Sequence, residues 1–319
     1  MCRGSSRSRK DDQGEQNMIY TLTLNPSLDH IIYLDTLKTG EINRSENDHL
    51  YAGGKGINVS FLLHELGSET CALGFTAGDT GALITRMTEK AGITQKFIPT
   101  KGYNRINVKI SADSETEING QGLCPDAEDV AELLRQLDTL QEDDILVISG
   151  SMPKVLDDEI YDWITALLYM KNIRFVCDYP ASAMKRSLFR GPFLIKPNRK
   201  ELEELYEKKI SDEEIPACAA ELQRRTEGHV LISLGADGAV YADPDGHVHT
   251  CKAAQGRVMN SVGSGDAMVA GFLHGYETGL RGRDLLLFAS ACGSACAFSE
   301  RFASAEDIQK LYEKIKHGG

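Results

Sequence analysis

No stretch of the 319-residue sequence comes near the ~18 consecutive apolar residues that a membrane-spanning helix needs, so no membrane partner is expected. Cations are in deficit. Thirty-five Lys plus Arg stand against 47 Asp plus Glu, a formal charge of −12, which argues against nucleic acid as a partner and requires local cations wherever an anionic substrate binds. The eight cysteines include no C-x-x-C pair, and Cys71, Cys177, Cys292 and Cys296 sit inside apolar runs, so neither disulfides nor zinc are expected and a reducing cytoplasm is. His247-x-His249 and Cys292-x-x-x-Cys296 supply no four convergent ligands and read as surface imidazoles and packing thiols. No G-x-G-x-x-G is completed, which removes the usual dinucleotide fingerprint. A Walker A loop is missing too, because Gly56 follows Lys55 where a Ser or Thr would have to reach magnesium.

What is present begins after a polar start. Met1–Asn17 has no apolar period and no secretory core, and reads as a disordered extension or cloning remnant ahead of a domain over 18–319. From Ile19 short apolar runs alternate with helix-period segments. Strands are expected at Ile19–Leu24, Cys71–Phe75, Asp144–Ser149, Ile173–Asp178, Phe193–Ile195 and Val230–Leu234, with helices between and after them. The pattern predicts an α/β fold, a doubly wound, mostly parallel sheet with helices on both faces. Ile31–Leu50 and Lys96–Ile118 break the alternation with polar-alternating strands. They are either two surface hairpins or, as their length favours, one small β-sheet lid beside the main domain.

Several segments suit phosphate and polyol chemistry. Asn260-Ser261-Val262-Gly263-Ser264-Gly265-Asp266 opens an apolar helix, where free main-chain N–H groups and the helix dipole make an anion hole. Asp266 there can take a proton from an attacking hydroxyl, or be an ordinary first-turn acid. Gly53-Gly54-Lys55-Gly56-Ile57-Asn58 is either a tight turn or bare backbone for a polyhydroxylated ligand, with Asn58 donating and accepting. Asp29 follows the first strand at the ligand-binding edge and can grip vicinal hydroxyls. Asn198 and Glu201 form a capping box, which is a complete structural explanation of both. Ser233 to Gly238 closes a strand with a glycine turn, and a plain hairpin accounts for that as well.

Taken in order, Gly53 to Asn58, Asn198 to Glu201 and Gly263-Ser264-Gly265-Asp266 resemble the signatures of the PfkB branch of the ribokinase superfamily, from about Met18 onward. Thr23 to Asp29, Arg105 to Lys109 and Thr116 to Gly120 are similar to segments of 1-phosphofructokinases and, nearly as closely, of tagatose-6-phosphate kinases. The resemblance implies a ribokinase-like fold and transfer of the γ-phosphoryl of ATP, with Mg²⁺, to a hydroxyl of fructose 1-phosphate, or else a non-catalytic sensor of such sugar phosphates. It casts Asp266 as base and Gly263, Ser264 and Gly265 as the anion hole; the family usually has Ala at Ser264, which a main-chain hole should tolerate. It implies substrate contacts at Asp29, Gly53, Gly54, Asn58 and the loop Ser149-Gly150-Ser151, with Lys55 and Arg105 on the phosphate the sugar already carries. Lys196, Asn198, Ser233, Gly235 and Gly238 would lie along the nucleotide, and Asn198 and Glu201 would hold magnesium through water. It also implies a homodimer paired through the lid.

Overall fold

The computed structural model describes residues 17–318; the polar start expected to be disordered lies, but for Asn17, outside them. The strands, in chain order, are β1 (Ile19–Thr23), β2 (Ser27–Tyr33), β3 (Asn47–Gly53), β4 (Thr70–Thr76), β5 (Thr94–Pro99), β6 (Arg105–Ser111), β7 (Glu115–Asn119), β8 (Ile145–Ser149), β9 (Arg174–Asp178), β10 (Leu194–Ile195), β11 (His229–Ser233), β12 (Ala239–Ala242) and β13 (Val248–Cys251). The helices are α1 (Lys55–Glu65), α2 (Gly78–Lys90), α3 (Ala127–Asp138), α4 (Glu159–Met170), α5 (Ala181–Ser187), α6 (Arg199–Tyr206), α7 (Ile215–Thr226), α8 (Ser264–Glu277), α9 (Gly282–Ala297) and α10 (Ala305–Gly318).

The period-two geometry of a strand explains the layering. In β8, Leu146 and Ile148 point into one buried cluster with α3, α4 and α7, while Ile145 and Val147 point into another with α1, α8 and α9. Strands apolar on both faces need helices on both faces, and the main sheet runs β13-β12-β11-β10-β9-β8-β1-β4-β5 among the described residues. From β11 to β5 its neighbours are parallel, so their carboxyl ends form one edge; β12 and β13 add antiparallel at the other side.

The two irregular insertions meet in a single four-stranded sheet ordered β3-β2-β6-β7, with β2 and β6 parallel and in register from Ser27↔Arg105 to Tyr33↔Ser111. Its limits differ from those expected. The first insertion starts pairing at Ser27 and ends at Gly53, while Lys96–Pro99 belongs to β5, the edge of the main sheet, and not to the lid. As an edge strand, β5 mixes exposed and part-buried residues, with Ile98 alone buried, and so looks like a lid strand in sequence. Leu28, Ala52, Ile57 and Ile84 form a small third core where the lid joins the main body. The capping box of α6 is present, and the Ser233–Gly238 turn joins β11 to β12 as the hairpin alternative required.

Candidate active site

The carboxyl edge of the parallel strands opens into a cavity of about 950 Å³, bridged on one side by the lid. Its floor is the amino end of α8. Gly263 caps that helix at φ 83°, in the left-handed region that glycine enters without steric penalty, and Ser264, Gly265 and Asp266 follow along the cavity wall. Asp266 is buried, and Asn58 of α1 donates to its Oδ2 at 2.8 Å. Burial first, and the nearby Asp178 charge second, push the Asp266 carboxyl up to about 6, against the pull of Lys55 and Lys196.

Asp178 is one of the residues that sequence reasoning missed. It ends β9 with no exposed surface, and the ammonium groups of Lys55 and Lys196 both lie 3.2 Å from its Oδ1. Burial favours its neutral form, but the two cations override that and hold its carboxyl below the usual range; its charge in turn raises Lys55. Its Oδ2 is buried without a partner among the described residues. A charged residue closing an apolar strand was the available signal, but its partners come from two other elements.

At the lid end, Asp29 sits among Ser27, Asn107 and Lys109, which donate to its carboxylate at 2.8, 2.9 and 2.8 Å. None of these three was singled out from sequence, although they share one face of β2 and β6. Gly53 packs on the same group: a Cβ there would lie 2.6 Å from Asp29 Cγ, so no larger residue fits without displacing it. Arg105 donates through Nε to the Asn25 carbonyl at 3.2 Å and lines the cavity; burial lowers its pKa, opposed by Asp29.

At the far end, Asn198, Ser233, Gly235 and Gly238 line the cavity together with Arg199 and Lys200, which the sequence left unassigned. Gly54, Lys55 and Lys196 line its middle. Four expected substrate contacts stand back from the wall, Gly53 behind Asp29 and the three residues of the loop after β8. Ser149 is buried at the end of β8, Gly150 donates to the Asp178 carbonyl at 2.9 Å, and Ser151 is exposed. Glu201 uses Oε2 to cap the Asn198 N–H at 2.8 Å and is likewise outside the lining.

A family model for pfkB family carbohydrate kinases matches residues 22–307. The chain is 39% identical over 300 residues to 1-phosphofructokinase of Bacillus subtilis (strain 168), covering 94% of this chain and 99% of that one. It is 34% identical over 301 residues to D-tagatose-1-phosphate kinase of Bacillus licheniformis, covering 94% and 99%. Among solved structures, phosphofructokinase-2 from Escherichia coli in complex with substrates and products superposes with a TM-score of 0.89 at 26% identity, covering 94% of this chain and 99% of that one. With the same motifs gathered around one cavity, in the order the family carries them, this chain belongs to the pfkB family of carbohydrate kinases.

Proposed function

We propose that this kinase transfers the γ-phosphoryl of ATP to fructose 1-phosphate, giving fructose 1,6-bisphosphate. The observation that carries the reading is Asp266, buried at the amino end of α8, held by Asn58 and poised near pH 6, between a polyol-gripping carboxylate and a glycine-lined far end. Asp29 accepts sugar hydroxyls. Arg105, with Nε spent on Asn25, keeps its Nη donors for the phosphate on C1, a charge-assisted fork. Ionised Asp266 takes the proton of the attacking hydroxyl, the oxygen bonds to the γ-phosphorus, and the bond to the bridging oxygen of ADP breaks. Main-chain N–H groups of Gly263 to Gly265 meet the charge on the transferring group. Lys196, Asn198, Ser233, Gly235 and Gly238 line the course of the nucleotide.

The donor set suits magnesium. Asp178 Oδ2 is ionised, buried and unpartnered among the described residues, and Glu201 commits only Oε2 to its cap. A hard cation that keeps its waters could be held here by Asp178 and, through water, by Asn198 and Glu201; when bound it would neutralise phosphate charge.

A coupled ADP-release assay over fructose 1-phosphate, tagatose 1-phosphate, fructose 6-phosphate and tagatose 6-phosphate tests the reading. The expected kcat/KM is highest on fructose 1-phosphate. The relative that acts on D-tagatose 1-phosphate makes that C4 epimer the second reading. Both related names place the phosphate on C1, which favours a 1-phosphate over the tagatose 6-phosphate suggested by the motifs. Turnover confined to a 6-phosphate would refute the assignment, and binding without ADP release would indicate a sensor.

The lid supports a homodimer. Leu50, His30, Val108 and Ile118 stand opposite one another across its four strands, on the face away from Asp29, and Leu50, Ile106 and Ile118 are 38, 44 and 59% exposed. A second lid would cover this apolar face. The seven cysteines among the described residues are all free, which favours a reducing, cytoplasmic setting. Among the described residues no helix is long and apolar enough to cross a membrane.

A further inference from the structure

Outside the cavity, the loop between α9 and α10 meets three parts of the molecule at once. The Arg301 guanidinium carbon lies 4.4 Å from the ring centre of Tyr51 in β3, 4.3 Å from Phe61 in α1 and 5.1 Å from Phe302. Its Nη2 donates to the carbonyl of Ala52 at 3.2 Å, across the whole length of the domain in sequence. Phe302 stacks on Phe61 with ring centres 5.8 Å apart, and its edge faces Gly263. The next contact runs to the glycine turn: the Glu300 carbonyl accepts from Asn260 Nδ2 at 3.1 Å, while Asn260 Oδ1 accepts the Val262 N–H at 3.0 Å. The loop therefore joins the foot of lid strand β3 to the approach of α8.

Packing alone does not account for an arginine here. Burial lowers its pKa to about 10, with Tyr51 and Asp29 opposing, so the group stays cationic at neutral pH although largely withdrawn from water. An apolar side chain could fill a cage of three rings without that desolvation cost. What an apolar side chain cannot supply is the directional bond to Ala52 and the attraction of a cation for the ring faces. Ala52 and Gly53 matter because Gly53 stands opposite Ser27 in the lid and packs directly on the Asp29 carboxylate. Asp29 is on the cavity wall and Gly53 stands behind it, so where the foot of β3 sits bears on where that carboxylate sits.

We propose that Arg301 is a positioning residue for sugar recognition: by bonding the Ala52 carbonyl and clamping Tyr51 and Phe61, it fixes the foot of β3 and, through Gly53, the placement of Asp29. The proposal rests on Asp29 as the contact for sugar hydroxyls, a role in the proposed function. Arg301 itself is not on the cavity wall.

Steady-state kinetics of the full chain with fructose 1-phosphate and MgATP test it, with Arg301→Leu, Arg301→Lys, Tyr51→Leu and Asp29→Asn compared and melting temperature recorded for each. Arg301→Leu should raise the sugar KM about tenfold while the ATP KM stays within about twofold. Arg301→Lys, which keeps a cation and a donor, should recover part of the loss. Tyr51→Leu loosens the same clamp from the lid side and should move the sugar KM the same way, by roughly threefold, which keeps the test usable if the leucine variant at 301 fails to fold. A lower active fraction from instability alone would reduce kcat without this split. An unchanged sugar KM in both clamp variants, or an equal rise in both KM values, would overturn the proposal. If Asp29→Asn also leaves the sugar KM alone, the pocket assignment fails with it; if Asp29→Asn raises it and the clamp variants do not, the clamp alone fails.

Discussion

As the proposed base, Asp266 is under two opposed demands, to be ionised for chemistry and to be buried, and the conflict is measurable. Its folded pKa of about 6 stands above the ordinary 3.8, so the fold favours the protonated form. The penalty is absent below pH 3.8, grows between there and pH 6, and is fully present at pH 7, where it amounts to about 1–3 kcal/mol. Asp266→Asn keeps an acceptor for Asn58 and removes the charge. Turnover should fall ~10²–10⁴-fold, while thermal melting at pH 7 rises and melting near pH ~3.5 does not change. A variant with near wild-type kcat, or one less stable at pH 7, would contradict this account of the residue. In the wild type, kcat should climb as pH rises through about 6, because the base works ionised. Asp178→Asn removes a negative neighbour and leaves Lys55 and Lys196 facing Asp266, so that acid limb should move to lower pH, at a cost of about 3–5 kcal/mol for breaking a buried ion pair. An unmoved limb would show that Asp178 does not set the charge of Asp266. The sequence already marked Asp266, as an acid in the first turn of a glycine-opened helix. Asp178 stayed hidden because its meaning lies in two lysines brought to it by other elements, one of them 123 residues away.

In the proposed function the lid is the element that meets the sugar. Ser27, Asp29, Asn107 and Lys109 share one face of β2 and β6, so hydrogen exchange in β2, β3, β6 and β7 should slow together when the sugar phosphate binds. Protection restricted to the main sheet would remove the lid from substrate binding. Gly53→Ala is the local counterpart. Its methyl would fall 2.6 Å from the Asp29 carboxyl carbon, so the sugar KM should rise about tenfold or more with the ATP KM little changed, measured by varying each substrate in turn. An unaffected sugar KM would mean that the Asp29 environment yields freely. Two insertions without helical period announced a second sheet in the sequence, but its borders were not legible. β5 carries the half-buried alternation of a lid strand while pairing with β4, and the short helix α5 follows Tyr179-Pro180 with too few residues to establish a period.

At the scale of the molecule, the alternation of two-sided apolar strands with amphipathic helices was enough to give the parallel core, because strands buried on both faces admit few other arrangements. The antiparallel β12 and β13 were less visible: four residues each, they offer little periodicity beyond the glycine turn before them. The exposed apolar face of the lid should make the protein a dimer in sedimentation velocity, and charge on that face, as in Ile118→Lys on the edge strand β7, should give monomers. A wild type that sediments as a monomer would leave that face without its proposed partner. All of this converges on the proposed arrangement of one cavity, with a sugar phosphate at one end, a nucleotide at the other and the buried Asp266 as base between them. Phosphorus NMR of the enzyme with fructose 1-phosphate, ATP and magnesium examines that arrangement directly: a second phosphomonoester signal, from C6, should appear on the same sugar as ADP forms, and should fail to appear with Asp266→Asn. ADP formed with no new sugar ester, or a C6 ester made at the wild-type rate by the asparagine variant, would contradict it.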